Sequence, residues 1–374
     1  MTRGAASLCV VCGNTRWTPL PDPGPQSMVS DWRIVPEPLA RFVCDACGLA
    51  QREPTEIAGQ SLYASGYGLY AHAPGGVRES VRQDEYARWI SRVAGQSPSR
   101  VIDVGCGNGS LLLALREHWP HTELLGCDLA AESVAHGAEH GLRLWQGTVD
   151  DAPAGGADLV IAVNVIEHTS DPVGFLQGLR RAMTDEGRAI VICPDGSTPN
   201  LELLFADHLF SFAPAHLAAL LVRAGLAPVT ADRAPDALGA FQMVVARRDD
   251  PMGVFDLSAR VDVGSRRTYL ERWRQLDGRL LERVQAPAVC FGAGEAAGLL
   301  RAYAPRTWRC IRACTADDVS AGMFGALPMI PLSDVQRDEA VLLGVRPSDQ
   351  PRVAERLRQR FPYVVAWYDL VDDQ

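Results

Sequence analysis

Residues 103–109 read Asp-Val-Gly-Cys-Gly-Asn-Gly, and their types and spacing describe a ligand cradle. Gly105, Gly107 and Gly109 let the backbone approach a bound group that a Cβ would exclude. Asp103 puts a carboxylate just ahead of them. The spacing is not the G-x-G-x-x-G that seats a pyrophosphate on a helix N-terminus. An acid at this place suits an ammonium group better than phosphates, and an amino-acid moiety on an adenosine carries one. Asp128 closes the next apolar run, Glu123–Leu129, about 20 residues past the glycines, where a carboxylate can accept both ribose hydroxyls. The competing reading of the turn is a NAD-binding unit, which the glycine spacing disfavours.

Two other groups could do chemistry. Cys9-Val-Val-Cys12-Gly13 and Cys44-Asp-Ala-Cys47-Gly48 are paired C-x-x-C-G knuckles. Four thiolates give a tetrahedral S4 set that zinc favours, with no open coordination position, so the expected role is structural. A thiol redox pair is the alternative. Asp207-His208 lies just before an amphipathic helix. A neutral imidazole beside a carboxylate can take a proton near neutral pH, the acid fixing its tautomer; the plain alternative is a solvated histidine capping that helix. His168, in Val165-Ile166-Glu167-His168, is the rival base or an architectural residue.

The elements that must position these groups follow from the hydrophobic pattern. Val101–Val104 is a buried strand, and Ser110–Arg116 a helix. Leu142–Gly147 reads as strand three, and Thr148-Val149-Asp150-Asp151 falls where an acid and a backbone N–H reach an adenine edge. Asp158–Asn164 is strand four, a helix runs from Asp171-Pro172 to about Met183, and Gly187–Pro194 is strand five. Alternating strands and helices predict a parallel sheet covered on both faces. The ligand should cross the carboxyl ends of strands one and four, where strand order switches. A helix over Pro214–Gly225 and a strand at Gln242–Ala246 complete this part. Residues 287–374 begin again as strand, glycine turn and helix (Gly292-Ala-Gly294-Glu-Ala-Ala-Gly298), a smaller Rossmann-like unit suited to a nucleotide, to packing or to dimerisation.

The predicted organisation is therefore a four-cysteine zinc domain and lead-in segment at 1–75, a nucleotide-binding α/β domain at 76–248, a helical linker at 249–286 and a Rossmann-like domain at 287–374. The 374 residues are 47% hydrophobic and 22% charged, with a formal net charge of −9 and ten cysteines. That composition supports ample cores. The acidic balance, without a long basic run, argues against nucleic acid as a partner. No stretch of about 18 apolar residues predicts a membrane span. The first residues lack a long apolar segment of the secretory kind, so a cytoplasmic chain is expected. All its cations are arginine, a composition that suits a high-GC bacterium.

The Asp103–Gly109 turn followed by Gly126-Cys-Asp-Leu129 resembles the S-adenosylmethionine (SAM) site of class I methyltransferases. The order of parts along the whole chain resembles bacterial C-methyltransferases that act on nucleotide-linked keto-deoxysugars in antibiotic biosynthesis. That resemblance implies a SAM-dependent enzyme with a structural zinc and a small-molecule acceptor, as monomer or homodimer. Asp103, Gly105, Cys106, Gly107, Asn108 and Gly109 would seat the methionine part. Asp128 and Leu129 would hold the ribose, Val149 and Asp150 the adenine, with Asn164 and Val165 completing the cofactor site. His208 would remove the proton beside a ketone, with Asp207 orienting it, and Tyr63, Tyr67, Tyr70, His168, Phe205 and Phe212 would line the acceptor. In the family the acid is usually Glu and a Tyr usually precedes the pair; here they are Asp207 and Phe205. A hydroxyl or amine acceptor, an rRNA methyltransferase with a zinc knuckle, and a non-catalytic SAM-binding scaffold are the alternatives.

Overall fold

The computed structural model describes residues 8–52, 62–63, 77–248, 261–284, 287–319 and 322–371. They form two compact units. The first is Met1–Thr18, Phe42–Leu203 and Asp207–Val263; the second is Pro19–Arg41, Leu204–Ala206 and Gly264–Gln374. The zinc-domain segment predicted at 1–75 is thus shared between the two units.

The first unit is built on seven strands: β1 (Arg100–Val104), β2 (Glu123–Asp128), β3 (Arg143–Gln146), β4 (Ala157–Val163), β5 (Met183–Pro194), β6 (Ala227–Arg233) and β7 (Phe241–Arg247). Their order is β6-β7-β5-β4-β1-β2-β3. All neighbours are parallel except β7, which runs antiparallel to both β5 and β6. The reason lies in the strand sequences. Along β1 and β4, Val101, Leu159 and Ile161 point into one core while Ile102, Val104, Val160 and Ala162 point into the other. A strand apolar on both sides must be covered on both sides.

Helices α1 (Val77–Ala94) and α2 (Ser110–His118) cover the first face, bringing Trp89, Ile90, Leu111, Leu112 and Leu115. Helices α4 (Pro172–Ala182) and α5 (Pro214–Arg223) cover the second with Leu176, Leu179, Leu217 and Leu221, and α3 (Ala131–Glu139) links β2 to β3. Asp171 caps α4 by accepting from Gly174 N–H at 2.9 Å, with Pro172 in the first turn, as its sequence predicts.

The second unit carries β8 (Ala288–Phe291), β9 (Ile311–Thr315), β10 (Ala340–Leu343) and β11 (Val364–Val365), parallel and ordered β9-β8-β10-β11. The stretch predicted as a linker contains α6 (Val263–Leu281), whose Trp273 packs edge-on against Tyr303 and Trp367 in this unit's core. Its glycines have packing roles. A Cβ on Gly292 would lie 2.5 Å from Gly344 O, and one on Gly298 would lie 2.7 Å from Met28 Sδ.

Candidate functional site

β1 and β4 are neighbours, while the chain runs outward from β1 to β3 on one side and from β4 on the other. The carboxyl ends of these two strands therefore open a crevice at the switch in order. The glycine turn sits at this place. Gly105 N–H and Cys106 N–H both donate to Cys127 O, at 2.8 and 3.0 Å, and Gly105 has φ +76°. A Cβ there would lie 2.5 Å from Val165 Cγ2 on the turn after β4. Both backbone sign and space require glycine. Gly105→Ala should therefore cost ~1–2 kcal/mol from φ alone, read as a lower unfolding midpoint together with weaker cofactor binding.

Asp128 closes the cradle, accepting from Gly107 N–H and Ala130 N–H at 2.8 Å each. Asn108 Oδ1 takes Ser110 N–H and Oγ–H at the start of α2. Cys106 is a packing residue, its Sγ filling the space that a Cβ on Gly126 would need. Asp103 is 2% exposed; burial, with the Asp128 charge nearby, pushes its carboxyl up to about 7. A cationic ligand group would satisfy the Asp103 carboxylate.

The remaining expected cofactor residues lie on the turns that follow β2, β3 and β4. Asn164, directly after β4, holds φ +56°, and its Nδ2 lies 3.5 Å from Tyr86 Oη. Val149 is core. The Asp150 carboxylate pairs with Arg181 at 2.6 Å, while the turn that carries both is capped by Thr148.

A second cluster assembles after β4. The short turn Ile166–His168 places Glu167 and His168. The segment following Leu201–Leu204 places Asp207 and His208 opposite, because Leu209 N–H donates to Glu167 O at 2.7 Å. His168 and His208 meet edge-on at 4.8 Å between ring centres. His168 Nδ1 lies 2.9 Å from Asp207 O, which can only accept; Nδ1 therefore carries the hydrogen and Nε2 the lone pair. Tyr63 Oη is 2.8 Å from the same nitrogen and donates to Asp207 Oδ2 at 3.2 Å.

The carboxylate beside His208 Nδ1 is Glu202, 3.5 Å away, and Glu202 accepts from Ser211 Oγ. Burial moves these groups apart. It pulls His168 down to about 4 and pushes Glu167 up to about 7. For His208, burial lowers the value, but Glu202, Asp207 and Glu167 together outweigh it and the net shift is upward.

The four knuckle cysteines come together with all Sγ atoms within 4.8 Å of one another. Cys9–Cys47 and Cys12–Cys44 are 3.7 and 3.6 Å apart. Zinc at the usual thiolate distance in a tetrahedron would put sulfurs about 3.8 Å apart, so the set fits that ion. Gly13 and Gly48 N–H close each knuckle onto Cys9 O and Cys44 O at 2.8 and 2.9 Å, both glycines at positive φ. The Cys9 thiol is pulled down to about 5 by the Cys47 thiol beside it.

The knuckle also braces the second cluster. The strand Ala50–Arg52 leaving it pairs antiparallel with Phe210–Ser211, and Arg52 N–H donates to Leu209 O at 2.8 Å. Buried His216, in the first turn of α5, accepts from Ala213 N–H and faces Cys47 O at 3.0 Å.

Other expected acceptor residues lie elsewhere. Phe212 stacks on Phe210 at 5.3 Å and belongs to the core. Phe205 sits in the second unit, its carbonyl accepting from Arg41 at 2.8 Å. Tyr67 and Tyr70 lie outside the described residues. Two cluster members escaped sequence reasoning as site residues, Glu167 and Glu202. A Glu beside a candidate histidine was the available signal for the first; nothing local marks the second. No helix among the described residues is long and apolar enough to cross a membrane.

Residues 78–231 match the family model described as "Methyltransferase domain". Among curated proteins, a 74-residue stretch is 39% identical to trans-aconitate 2-methyltransferase of Rhodococcus jostii strain RHA1, covering 20% of this chain and 29% of that protein. A 131-residue stretch is 28% identical to malonyl-[acyl-carrier protein] O-methyltransferase of Paenibacillus sp. strain JDR-2, covering 31% and 47%. The matched stretches thus span less than half of these relatives. Among solved structures, the mitomycin 7-O-methyltransferase MmcR is similar at 20% identity and TM-score 0.39, covering 46% of this chain and 55% of that one.

Proposed function

With residues 78–231 a methyltransferase domain of α/β Rossmann-like fold, we propose that this chain transfers a methyl group from SAM to a small-molecule acceptor. The observation that carries the reading is the pair of carboxylates, buried Asp103 and half-buried Asp128, on adjacent strands around a glycine turn at the switch point. Asp103, with Gly105, Gly107, Asn108 and Gly109, takes the methionine part and its ammonium. Asp128 and Leu129 take the ribose, and the Val149-Asp150 turn the adenine. Asn164 and Val165 flank the sulfonium side. The Cys9, Cys12, Cys44 and Cys47 set holds a structural zinc.

The sulfonium methyl is already electrophilic, so the protein must align donor and acceptor and receive the acceptor's proton. The cluster of Glu167, His168, Asp207 and His208 is the acceptor side of the reaction. In the finer reading the acceptor is a nucleotide-linked keto-deoxysugar. The proton beside its ketone passes to His208, whose Nδ1 faces Glu202, while the neighbouring Asp207 carboxylate is held by Tyr63. The enolate carbon then bonds to the methyl, and the sulfur keeps the electron pair of the broken bond as S-adenosylhomocysteine leaves. The name of the Paenibacillus relative favours an oxygen acceptor as the second reading.

Single turnover with methyl-labelled SAM, run in deuterated water over a panel of nucleotide-linked keto sugars, tests both. Label in product, or deuterium at the carbon beside the ketone, is the expected result. Bound SAM with neither overturns the carbon-acid reading and leaves the oxygen one.

Asp103 adds a pH test. Only its ionised form attracts the ammonium, and its carboxyl titrates at about 7 in the free protein. SAM affinity should therefore rise with pH through 7, then turn over above about 8 as the ligand's own amine loses its proton. Isothermal titration between pH 5.5 and 8.5 checks this, and Asp103→Asn should flatten the rising limb.

A further inference from the structure

We propose that Glu167, His168 and His208 hold a divalent cation on the acceptor side of the crevice. The inference rests on reading that cluster as the acceptor side, and it deepens that reading. Each of the three offers one ligand atom, all within 4.8 Å of one another. The Glu167 carboxylate is 1% exposed, yet neither of its oxygens has a hydrogen-bond partner among the described residues. Leaving a carboxylate desolvated and unpartnered is costly, and native structures nearly always satisfy such atoms. A cation supplies the missing partner.

The histidine beside it is already arranged as a ligand. His168 gives its Nδ1 hydrogen to Asp207 O at 2.9 Å, which leaves the Nε2 lone pair 3.9 Å from Glu167 Oε1. An imidazole held by its far nitrogen on a backbone carbonyl is the usual support of a metal-bound histidine. His208 completes the set from the opposite segment, its ring edge-on to that of His168. Three ligands about 2.1 Å from one ion lie about 3.0–3.6 Å apart, so closure on a cation requires side-chain movement of about an ångström.

Two imidazoles and one carboxylate leave coordination positions open, and nitrogen and oxygen donors suit a divalent ion of borderline or hard character. An acceptor oxygen would take one of these open positions. The ligand class is thus an acceptor carrying a carbonyl, hydroxyl or carboxylate oxygen next to the methylated atom. His208 is then a ligand, and Asp207 is the proton acceptor of the pair.

Mn2+ is the probe, because it avoids thiolates and is visible by electron paramagnetic resonance. Zinc-loaded full-length protein should bind one Mn2+ per chain. Glu167→Gln and His168→Gln should each weaken that binding at least tenfold, leaving zinc content and SAM affinity unchanged. Wild-type protein that binds SAM but no Mn2+, or Mn2+ binding indifferent to both variants, overturns the cation site. If either variant fails to fold, shown by lost SAM binding, the other carries the comparison, and the wild-type stoichiometry alone still decides against the site. Failure of SAM to bind at all would instead sink the proposed function, so the two failures are distinguishable.

Discussion

Removal of the proposed zinc, by prolonged chelation or by Cys44→Ser, is expected to unfold the knuckle and to abolish the proposed methyl transfer while leaving the seven-stranded sheet folded. Structural S4 sites contribute about 10–16 kcal/mol of apparent binding free energy in small zinc-finger peptides, far more than two short knuckles can supply by burial. The amides that report the loss are Cys9, Gly13, Cys44 and Gly48, whose N–H groups are bonded only inside the knuckles. Their hydrogen exchange should become fast on zinc removal.

The effect should then travel along a defined path. The strand Ala50–Arg52 loses its anchor, so its pairing with Phe210–Ser211 weakens, and His216 loses the Cys47 carbonyl. The segment holding Asp207 and His208 depends on both. Amides of β1 and β4 should stay protected, and SAM should still bind. Exchange that speeds up throughout the unit would mean that the sheet itself depends on zinc; unchanged exchange at the knuckles would remove zinc from the structure.

Much of this architecture is legible in the chain. The strands of the main sheet announce themselves because Val101–Val104 and Ala157–Val163, apart from Asp103 and Asp158, are apolar on both faces, which a doubly covered strand requires. The Asp103–Gly109 turn is legible because glycine and carboxylate are needed there for stereochemical and electrostatic reasons that do not depend on distant contacts. Strand β6 is hidden for the converse reason. Thr230, Ala231 and Arg233 are solvent-facing, so the stretch lacks a hydrophobic pattern and forms through pairing with β7.

The proline-rich stretch between the knuckles reads as an ordinary loop. Its Ser27–Met28 pairs with Ile34–Val35, and Met28 packs on Gly298 in the second unit. A contact between residues so distant in sequence leaves no periodic trace. Glu202 is illegible in the same way: within Leu-Glu-Leu-Leu it reads as the polar face of a helical turn, and only the folded segment brings it to His208 and Ser211.

His208→Gln is the other substitution with a large expected effect, a loss of ~10²–10⁴ in kcat, the range for removing a group that handles the acceptor's proton. Glutamine is the better variant than alanine because Glu167, Glu202 and Asp207 all act on this imidazole electrostatically. Removing it without a donor in its place would leave three buried carboxylates in mutual repulsion, and lost folding would be confused with lost chemistry. A side-chain amide keeps a donor and most of the volume. SAM affinity should stay within a few-fold, since no residue of the glycine turn bonds to this histidine.

The ligand and base roles of His208 separate in the same variant. If the imidazole is a ligand, His208→Gln loses Mn2+ binding together with turnover, and Asp207→Asn loses turnover with the Mn2+ site retained. If it is the base, His208→Gln keeps Mn2+ and loses deuterium exchange at the acceptor carbon. Turnover within about twofold of wild type would exclude both roles and reduce the cluster to a structural clasp between the β4 turn and the 201–211 segment.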